Sequence, residues 1–264
     1  MAGVFDPNVH IRCITIVGLG GTGAQVARIV GRIAYDMQRR QLHAPQIVLI
    51  DPDQVEESNI GRQLFAPADI GHYKAEIVGQ RLNRALGLDV RWITESVDAV
   101  RHFDRYGNVV ISCVDNHLAR CQLHDVEGVL IGAGNHVESG QVCIGNTADR
   151  ALVEQHLEGQ HGKYPYLPKE GLLFPQLLEP EPTADPSLEP ATDVSCADLV
   201  VQGLQHLLVN DFMACAVGQY VYRLLHRQPI VSFVTYLSTE DLVMRSVGIC
   251  RDELSAYMRT MPSS

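Results

Sequence analysis

Glycine residues near the start of the chain have the spacing of a nucleotide-binding turn. They follow the apolar run 14–17 in the pattern Gly18-x-Gly20-x-x-Gly23. Gly18 allows a tight turn, Gly20 lets a phosphate approach the backbone, and Gly23 lets the next helix pack closely on the strand. The N-terminus of that helix presents free N–H groups and a partial positive charge to an anion. The glycine pattern by itself also occurs in ordinary turns, so the residues that follow must decide its meaning.

A second apolar run, 47–50, ends at Asp51, the position where ligands bind in open α/β sheets. A carboxylate there can accept hydrogen bonds from both hydroxyls of a ribose, and the alternative is a solvent-exposed strand end. A dehydrogenase that transfers hydride needs only this acid. Arginine offers phosphate oxygens a planar fork and lysine a compact charge, although most lone cations are surface charges. The polar and cationic residues after the acid suit a triphosphate, and they are Ser58, Asn59, Arg62, Gln63 and Lys74.

A third apolar run, 109–114, leads to Asp115 and Asn116, with Arg120 about one helical turn later. Mg²⁺ usually takes one or two carboxylates together with phosphate oxygens and water, so Asp115 is a candidate metal ligand. The alternative is that Asp115 or Asn116 only caps the following helix. The local sequence supports both interpretations equally.

The hydrophobic pattern predicts an α/β fold that is Rossmann-like, with a mostly parallel sheet and helices on both of its faces. Strongly apolar helical spacing over 196–226 predicts one or two buried helices, and the two last strands predict an antiparallel hairpin at the sheet edge. The predicted strands are 12–17, 46–50, 90–93, 109–113, 129–132, 140–145, 230–238 and 242–248, and the other predicted helices are 21–40, 69–86 and 116–125.

Residues 157–194 interrupt this alternation because they contain seven prolines and a cluster of acidic residues. Such a tract cannot form a helix or a central strand. It is either a disordered linker or a crossover loop that passes over the site and closes on a partner's tail. The apolar segments 172–175 and 177–178 within it predict docking on a surface that the sequence does not identify.

The chain resembles the ThiF-type adenylating family over roughly residues 11–145. This family includes the sulfur-carrier adenylyltransferases of thiamine and molybdopterin synthesis and the ubiquitin-activating enzymes. The latter half is similar to the ThiF-like member of the bacterial PRTRC cassette, which also encodes a ubiquitin-like small protein. The matching segments of the first half occur in family order and are GLGGTG, DPDQVEESNIGRQLF, ADIGHYKA and VISCVDNHLAR.

The resemblance implies adenylation of the C-terminal glycine carboxylate of a ubiquitin-like or sulfur-carrier protein, with MgATP as co-substrate and pyrophosphate as product. It implies that Asp51 holds the ribose, that Asn59, Arg62 and Lys74 contact the phosphates, and that Asp115 binds Mg²⁺. It also implies a homodimer and leaves room for a conjugating-type partner. The implied catalytic residues are Arg62, Lys74, Asp115 and Cys196, and the implied nucleotide-binding residues are Gly18, Gly20, Gly21, Gly23, Asp51, Asp53, Asn59, Arg62, Gln63, Lys74, Asp115 and Asn116.

The resemblance also suggests a role for Cys196, which lies between the Pro-rich tract and the apolar helical pattern. In the family, a cysteine at this place can form a thioester or persulfide link to the activated carrier. A thiol at a helix N-terminus has a stabilised thiolate, although the neighbouring Asp193 and Asp198 would raise its pKa. A covalent nucleophile, a non-essential thiol and a packing residue therefore all remain open.

Many family members hold a structural zinc with two CxxC pairs, but none of the seven cysteines of this chain forms such a pair. We therefore expect no structural zinc. Unpaired cysteine spacing and the lack of a secretory signal predict a cytoplasmic protein, and the resemblance to the PRTRC-cassette member implies a bacterial one. The net charge of −10 and the absence of a long apolar stretch argue against direct nucleic-acid binding and against membrane insertion.

The domain organisation expected from these features is a single adenylation domain over 1–264. Within it, 1–150 would form the nucleotide-binding core, 157–194 the crossover loop, and 195–264 the C-terminal helix and hairpin. Two other functions remain open. The glycine pattern and Asp51 alone would permit an NAD-dependent oxidoreductase, and the fold could also serve as a catalytically silent scaffold that binds a partner.

Overall fold

A computed structural model of the chain describes residues 3–180 and 208–259, and its centre is an eight-stranded sheet. A separate parallel pair consists of β1 (Val4–Phe5) and β8 (Lys163–Tyr164). The strands of the large sheet are β2 (Cys13–Val17), β3 (Gln46–Ile50), β4 (Arg91–Ile93), β5 (Asn108–Ser112), β6 (Val129–Asn135), β7 (Ser139–Gly145), β9 (Ser232–Ser238) and β10 (Val243–Gly248). Their order across the sheet is β10-β9-β7-β6-β5-β2-β3-β4.

The half of the sheet from β6 to β4 is parallel. Its central strand β2 pairs with both β3 and β5, so that Ile14 lies opposite Ile47 on one side and Val109 on the other. Strands β2, β3, β5 and β6 are nearly continuous apolar runs that helices bury from both faces, whereas the edge strand β4 is mostly exposed. Parallel strands end at the same edge, so the loops that follow β2, β3, β5 and β6 are neighbours in space.

The other half of the sheet is antiparallel. β7 returns along β6, β9 pairs with β7, and β10 pairs with β9 as the outermost strand. This confirms the predicted hairpin at the sheet edge, and β10 is mostly exposed there. The predicted α/β class with a mostly parallel sheet is likewise confirmed.

Helices lie on both faces of the sheet, as predicted. They are α1 (Gly21–Arg39), α2 (Lys74–Leu86), α3 (His117–Asp125), α4 (Arg150–Gln155), α5 (Glu170–Leu173), α6 (Val209–Leu225) and α7 (Arg251–Arg259). α1 packs against α2 and α6, whereas α3 packs against α5, and α5 against α7. Alternation along β2 sends Ile14 and Ile16 into the core beneath α1, while Val17 packs with Leu123 of α3. None of the described helices is long and apolar enough to cross a membrane.

Two details of the sequence prediction need correction. The helix predicted over 69–86 begins only at Lys74, because a 3₁₀ turn at Pro67–Asp69 and Gly71, with φ of +84°, interrupt it. The Pro-rich tract was predicted to contain no helix, but α5 forms between Pro168 and Pro175. Proline is tolerated outside a short helix, since only an interior proline removes a helical hydrogen bond.

The apolar segments of the Pro-rich tract dock as predicted. Leu173 is buried in the main core, and the Phe174 ring makes an edge contact with Tyr257 of α7 at 6.2 Å between centroids. Pro175–Leu178 form a 3₁₀ turn that packs against α3. The part of the tract up to residue 180 is therefore a packed segment, and its remainder lies outside the described residues.

Candidate nucleotide-binding site

The loops after β2, β3, β5 and β6 open onto one cavity of about 990 Å³ at the carboxyl edge of the sheet. This is where a twisted parallel sheet of this kind places its ligand site. The cavity wall includes most of the residues singled out in the sequence, namely Gly18, Gly20, Gly21, Asp51, Asp53, Asn59, Arg62, Gln63, Lys74, Asp115 and Asn116. Their separation along the chain is large, so the fold alone brings them together.

The glycine turn has the geometry that its residue types predict. Gly18 has φ of +84°, and a Cβ atom there would lie 2.6 Å from the carbonyl oxygen of Cys113. A Cβ atom at Gly23 would lie 1.7 Å from the carbonyl oxygen of Gly18, so the first turn of α1 touches the strand end. Gly23 therefore supports the turn from behind and does not line the cavity.

The N-terminus of α1 faces the cavity without a capping side chain. Its N-cap residue is Gly20, which has no side chain to cap the helix, and no acidic residue lies in the first turn. At Gly20 the nearest atom to an added Cβ is Gln63 Nε2 at 3.9 Å, so the backbone is open to a ligand. Free N–H groups and the helix dipole make this a favourable place for a phosphate.

Asp51 lies at the end of β3 and is 4% exposed. Its Oδ2 accepts a hydrogen bond from the Leu19 N–H at 2.5 Å, and its Oδ1 accepts one from the Asp53 N–H at 2.8 Å. Burial raises the pKa of Asp51 above its usual value. The two backbone donors and the nearby Lys74 charge oppose this shift only in part. Each carboxylate oxygen has a second lone pair, so Asp51 can still accept hydrogen bonds from a ribose.

Lys74 is held in the cavity wall by Asp53. The Lys74 Nζ lies 2.9 Å from Asp53 Oδ2, and the lysine side chain is 10% exposed while the aspartate side chain is 63% exposed. The Lys74 backbone N–H also donates to the Asp53 carbonyl at 2.9 Å. The ammonium group is thus fixed at the start of α2, on the same side of the cavity as Asp51.

The segment that links β3 to α2 forms a tight turn around Asn59. The Asn59 Oδ1 accepts a hydrogen bond from the Glu56 N–H at 2.9 Å, and Asn59 is 5% exposed. This turn presents Arg62 and Gln63 to the cavity. Together with Lys74, Arg62 gives this wall two cations.

The third strand tip resolves part of the ambiguity between a metal ligand and a helix cap. Asn116 is the N-cap of α3, because its Oδ1 accepts a hydrogen bond from the Ala119 N–H at 2.9 Å. Asp115 precedes the cap and is exposed on the cavity wall. An exposed carboxylate beside a phosphate cradle fits a Mg²⁺ ion that completes its shell with phosphate oxygens and water.

A buried ion pair lies behind the Asp115 loop. Arg120 Nη1 lies 3.5 Å from both carboxylate oxygens of Glu170, and Arg120 Nη2 donates to the Val114 carbonyl at 2.7 Å. The two side chains are only 9% and 4% exposed. Burial raises the pKa of Glu170, and the Arg120 charge opposes this shift. The pair therefore connects the loop before Asp115 to α5 within the Pro-rich tract.

Lys169, which precedes Glu170, holds the C-terminal end of α3. Its Nζ donates to the carbonyl oxygens of His124 and Val126, at 2.8 Å and 2.6 Å. Burial lowers the pKa of Lys169 to about 8. Two consecutive residues of the tract thus fix α3 at its middle and at its end, and sequence reasoning found neither contact.

Cavity residues missed by the sequence analysis include Thr22, Asn135 and Asn210. Asn135 ends β6 just as Asp51 follows β3, so the rule of polar residues at strand tips could have found it. The strand was predicted to stop at 132, three residues too early. Asn210 lies within a strongly apolar helical pattern, where a lone asparagine was the available clue in the sequence. The structure shows that this asparagine is buried.

Three cysteines near the cavity or in the predicted nucleophile position are candidate nucleophiles. Cys113 lines the cavity, but burial raises the pKa of its thiol to about 12, so it is not a ready nucleophile. The Cys121 thiol is engaged with the Leu178 carbonyl at 3.4 Å. Cys196, the predicted nucleophile, lies outside the described residues.

The architecture is similar to that of solved structures of MccB and PaaA. E. coli MccB with MccA-N7isoASN superposes with a TM-score of 0.59 at 15% sequence identity, over 91% of this chain and 65% of that one. E. coli MccB with ATP gives 0.56 at 15% identity, over 91% and 64%. PaaA gives 0.57 at 19% identity, over 90% and 73%. This chain thus spans slightly less than two thirds of MccB, and these likenesses establish the fold.

A family model gives the assignment directly. The model described as the ThiF family matches residues 10–239, which contain the whole cavity wall described above. The match covers most of the chain, and the chain belongs to the ThiF family.

Proposed function

We propose that this chain uses ATP to adenylate the C-terminal carboxylate of a peptide or small carrier protein. The observation that supports this most is the convergence of Asp51, Arg62 and Lys74 on the cavity of the glycine turn. The acid suits a ribose, and the two cations suit a polyphosphate that extends beyond it. ThiF-family membership and the solved MccB complex with ATP support the same nucleotide.

The reaction joins two anions, so its barrier is largely electrostatic. A carboxylate oxygen of the acyl substrate attacks the α-phosphorus, the bond from that phosphorus to the bridging α–β oxygen breaks, and pyrophosphate leaves with the bonding electrons. Negative charge accumulates on the departing phosphates. Arg62 and Lys74 are placed to neutralise it, and the α1 N-terminus is placed to hold the α-phosphate. A Mg²⁺ ion held by Asp115 would supply further charge neutralisation when bound.

The acyl substrate that we favour is a ubiquitin-like or sulfur-carrier protein that ends in glycine. The family resemblance supports this choice, and MccB has been solved with MccA. We also propose a homodimer, for which the exposed edge strand β10 offers Val243 and Met244 as contact residues. A conjugating-type partner downstream and a cytoplasmic location complete the proposal.

The experiment that tests this function is exchange of labelled pyrophosphate into ATP by the purified chain. Small proteins with a C-terminal glycine, encoded near its gene, are supplied one at a time. We expect exchange that requires both MgATP and one such protein. The matched control is the same protein with its C-terminal carboxylate amidated, which must abolish exchange. Equal exchange with the amidated protein would contradict adenylation of the carboxylate.

Cys196 is proposed to accept the activated carrier after adenylation. We expect Cys196→Ala to retain pyrophosphate exchange and to lose the covalent adduct that dithiothreitol cleaves, because adenylation does not need the thiol. The adduct is detected by non-reducing gel electrophoresis and intact mass. The matched control is Cys250→Ala, a cysteine next to α7 that does not line the cavity. An adduct that persists in Cys196→Ala would assign the role to another thiol.

A further inference from the structure

Two asparagines and a threonine from distant parts of the chain meet at one wall of the cavity. Asn210 Oδ1 accepts hydrogen bonds from Thr22 Oγ1 at 2.8 Å and from Asn135 Nδ2 at 2.6 Å. Thr22 lies in the first turn of α1, Asn135 ends β6, and Asn210 lies at the start of α6. Asn210 is 5% exposed and still lines the cavity. The nucleotide-binding roles proposed above use none of these three side chains.

This cluster lies on the side of the cavity away from the ribose acid and the cations. Asp51 follows β3, and Arg62 and Lys74 lie in the connection after it, whereas Asn135 ends β6. β5 and β2 separate β6 from β3 in the sheet, with the Asp115 loop and the glycine turn at their ends. We call Arg62 and Lys74 the proposed triphosphate wall, and Thr22, Asn135 and Asn210 the amide cluster. The α-phosphate site proposed at the glycine turn therefore lies between the triphosphate wall and the amide cluster.

The hydrogen bonds fix which way the Asn210 amide points. Its oxygen accepts both of the bonds above, so its nitrogen is the group that remains to donate. An added Cβ at Gly21 would lie only 2.6 Å from Asn210 Nδ2, which places this nitrogen against the backbone at the α1 N-terminus. A buried N–H donor thus lies beside the N-terminus of α1 and adds to its partial positive charge.

We infer that Asn210, held by Thr22 and Asn135, binds the C-terminal carboxyl group of the acyl substrate next to the α-phosphate. This inference rests on the proposed adenylation and names the residues that recognise its second substrate. A cation would hold the carboxylate more strongly but would also stabilise its charge and reduce its nucleophilicity. Neutral amides orient the carboxylate with weaker hydrogen bonds, which suits a group that must attack.

The test compares the affinities of two probes for the purified chain by calorimetry. One probe is AMP, and the other is the N-acetylglycyl sulfamoyl analogue of adenosine, an uncleavable mimic of the adenylated C-terminal glycine. The wild-type chain should bind the mimic more tightly than AMP. Asn210→Asp keeps an oxygen for Thr22 and Asn135 but replaces the donor nitrogen with an acceptor. We expect it to reduce the ratio of the two affinities by about tenfold or more, the effect of one lost hydrogen bond.

Asn135→Ala serves as a second variant, because Asn135 is only half-buried and the change is expected to leave the fold intact. It should lower the same ratio by a smaller factor. The matched control is Asn83→Ala, which removes two hydrogen bonds to Val90, does not touch the cavity wall and should leave the ratio unchanged. Unfolding midpoints without ligand show that each variant is folded.

The outcomes separate this inference from the proposed function. If the wild-type chain binds neither probe, the proposed adenylation fails together with the inference. If it prefers the mimic and the Asn210→Asp and Asn135→Ala variants keep that preference, adenylation stands and the amide cluster is not the acyl site. If it binds the mimic no better than AMP, the assignment of a carboxyl site beside the α-phosphate is wrong.

Discussion

Replacing Lys74 by Met or Arg62 by Ala is expected to slow adenylate formation by about 100- to 1,000-fold, the typical effect of removing one group that stabilises transition-state charge. Both side chains line the proposed triphosphate wall, and Asp53 holds the Lys74 ammonium group at 2.9 Å. Charge builds up on the departing pyrophosphate, so the loss should appear mainly in kcat. Pyrophosphate exchange with the identified carrier measures it.

Each of these two variants has a matched control on the same molecule. Arg84→Ala removes an exposed arginine from α2 that does not line the cavity, and Lys163→Met removes a lysine that is 65% exposed beside Asp6. Exposed charges of this kind contribute little, so both controls should keep wild-type exchange. Exchange at near wild-type rate in Lys74→Met and Arg62→Ala would remove these residues from the site.

Replacing Arg120 by Met is expected to lower the free energy of unfolding at pH 7 by about 3–5 kcal/mol, because it leaves the buried Glu170 carboxylate without its partner. The loss should be smaller in Arg120→Met/Glu170→Gln, where no charge is left in the core. Urea-induced unfolding of the wild-type chain and both variants measures these differences. A loss in Arg120→Met below about 1 kcal/mol, the range of surface pairs, would contradict the account of this pair.

The pH dependence of this loss has a defined sign. Burial raises the pKa of Glu170 above its ordinary value of 4.5, so the folded chain keeps this proton to a higher pH than the unfolded chain. The contribution of Glu170 to stability is therefore most favourable below pH 4.5 and falls as the pH rises through the folded pKa. Loss of Arg120 raises that pKa further, so the deficit of Arg120→Met should be larger at pH 7 than at pH 4.5. An equal deficit at both values would show that packing, not charge, causes it.

Much of the sheet was predictable because its strands are apolar runs that end in turn residues. Gln46–Ile50 matched its predicted bounds, and the other predicted strands were placed within a few residues. The prediction of secondary structure failed where long-range contacts override the local preference of the sequence. Helix α5 forms in a tract full of prolines because Lys169 and Glu170 anchor it through long-range contacts to α3. No pattern within that segment indicates those partners.

The candidate site was predictable where its residues follow strands, as Asp51 and Asp115 do. Asn210 was not, because its place in the cavity depends on the packing of α6 against α1. That packing brings Asn210 to Thr22, 188 positions earlier in the chain. The buried ion pair was missed for the same reason, since Arg120 and Glu170 are 50 positions apart. Sequence spacing reports local geometry, and these contacts exist only in the tertiary fold.

The central claim is that the cavity binds ATP through Asp51, and calorimetric titration of the purified chain with MgATP, and separately with NAD, tests it most directly. We predict binding of MgATP by the wild-type chain, loss of that binding in Asp51→Ala, and no binding of NAD. Asp149→Ala is the matched control, because Asp149 caps α4 outside the cavity and should not affect nucleotide affinity. Binding of NAD without binding of MgATP would contradict the account and favour an oxidoreductase.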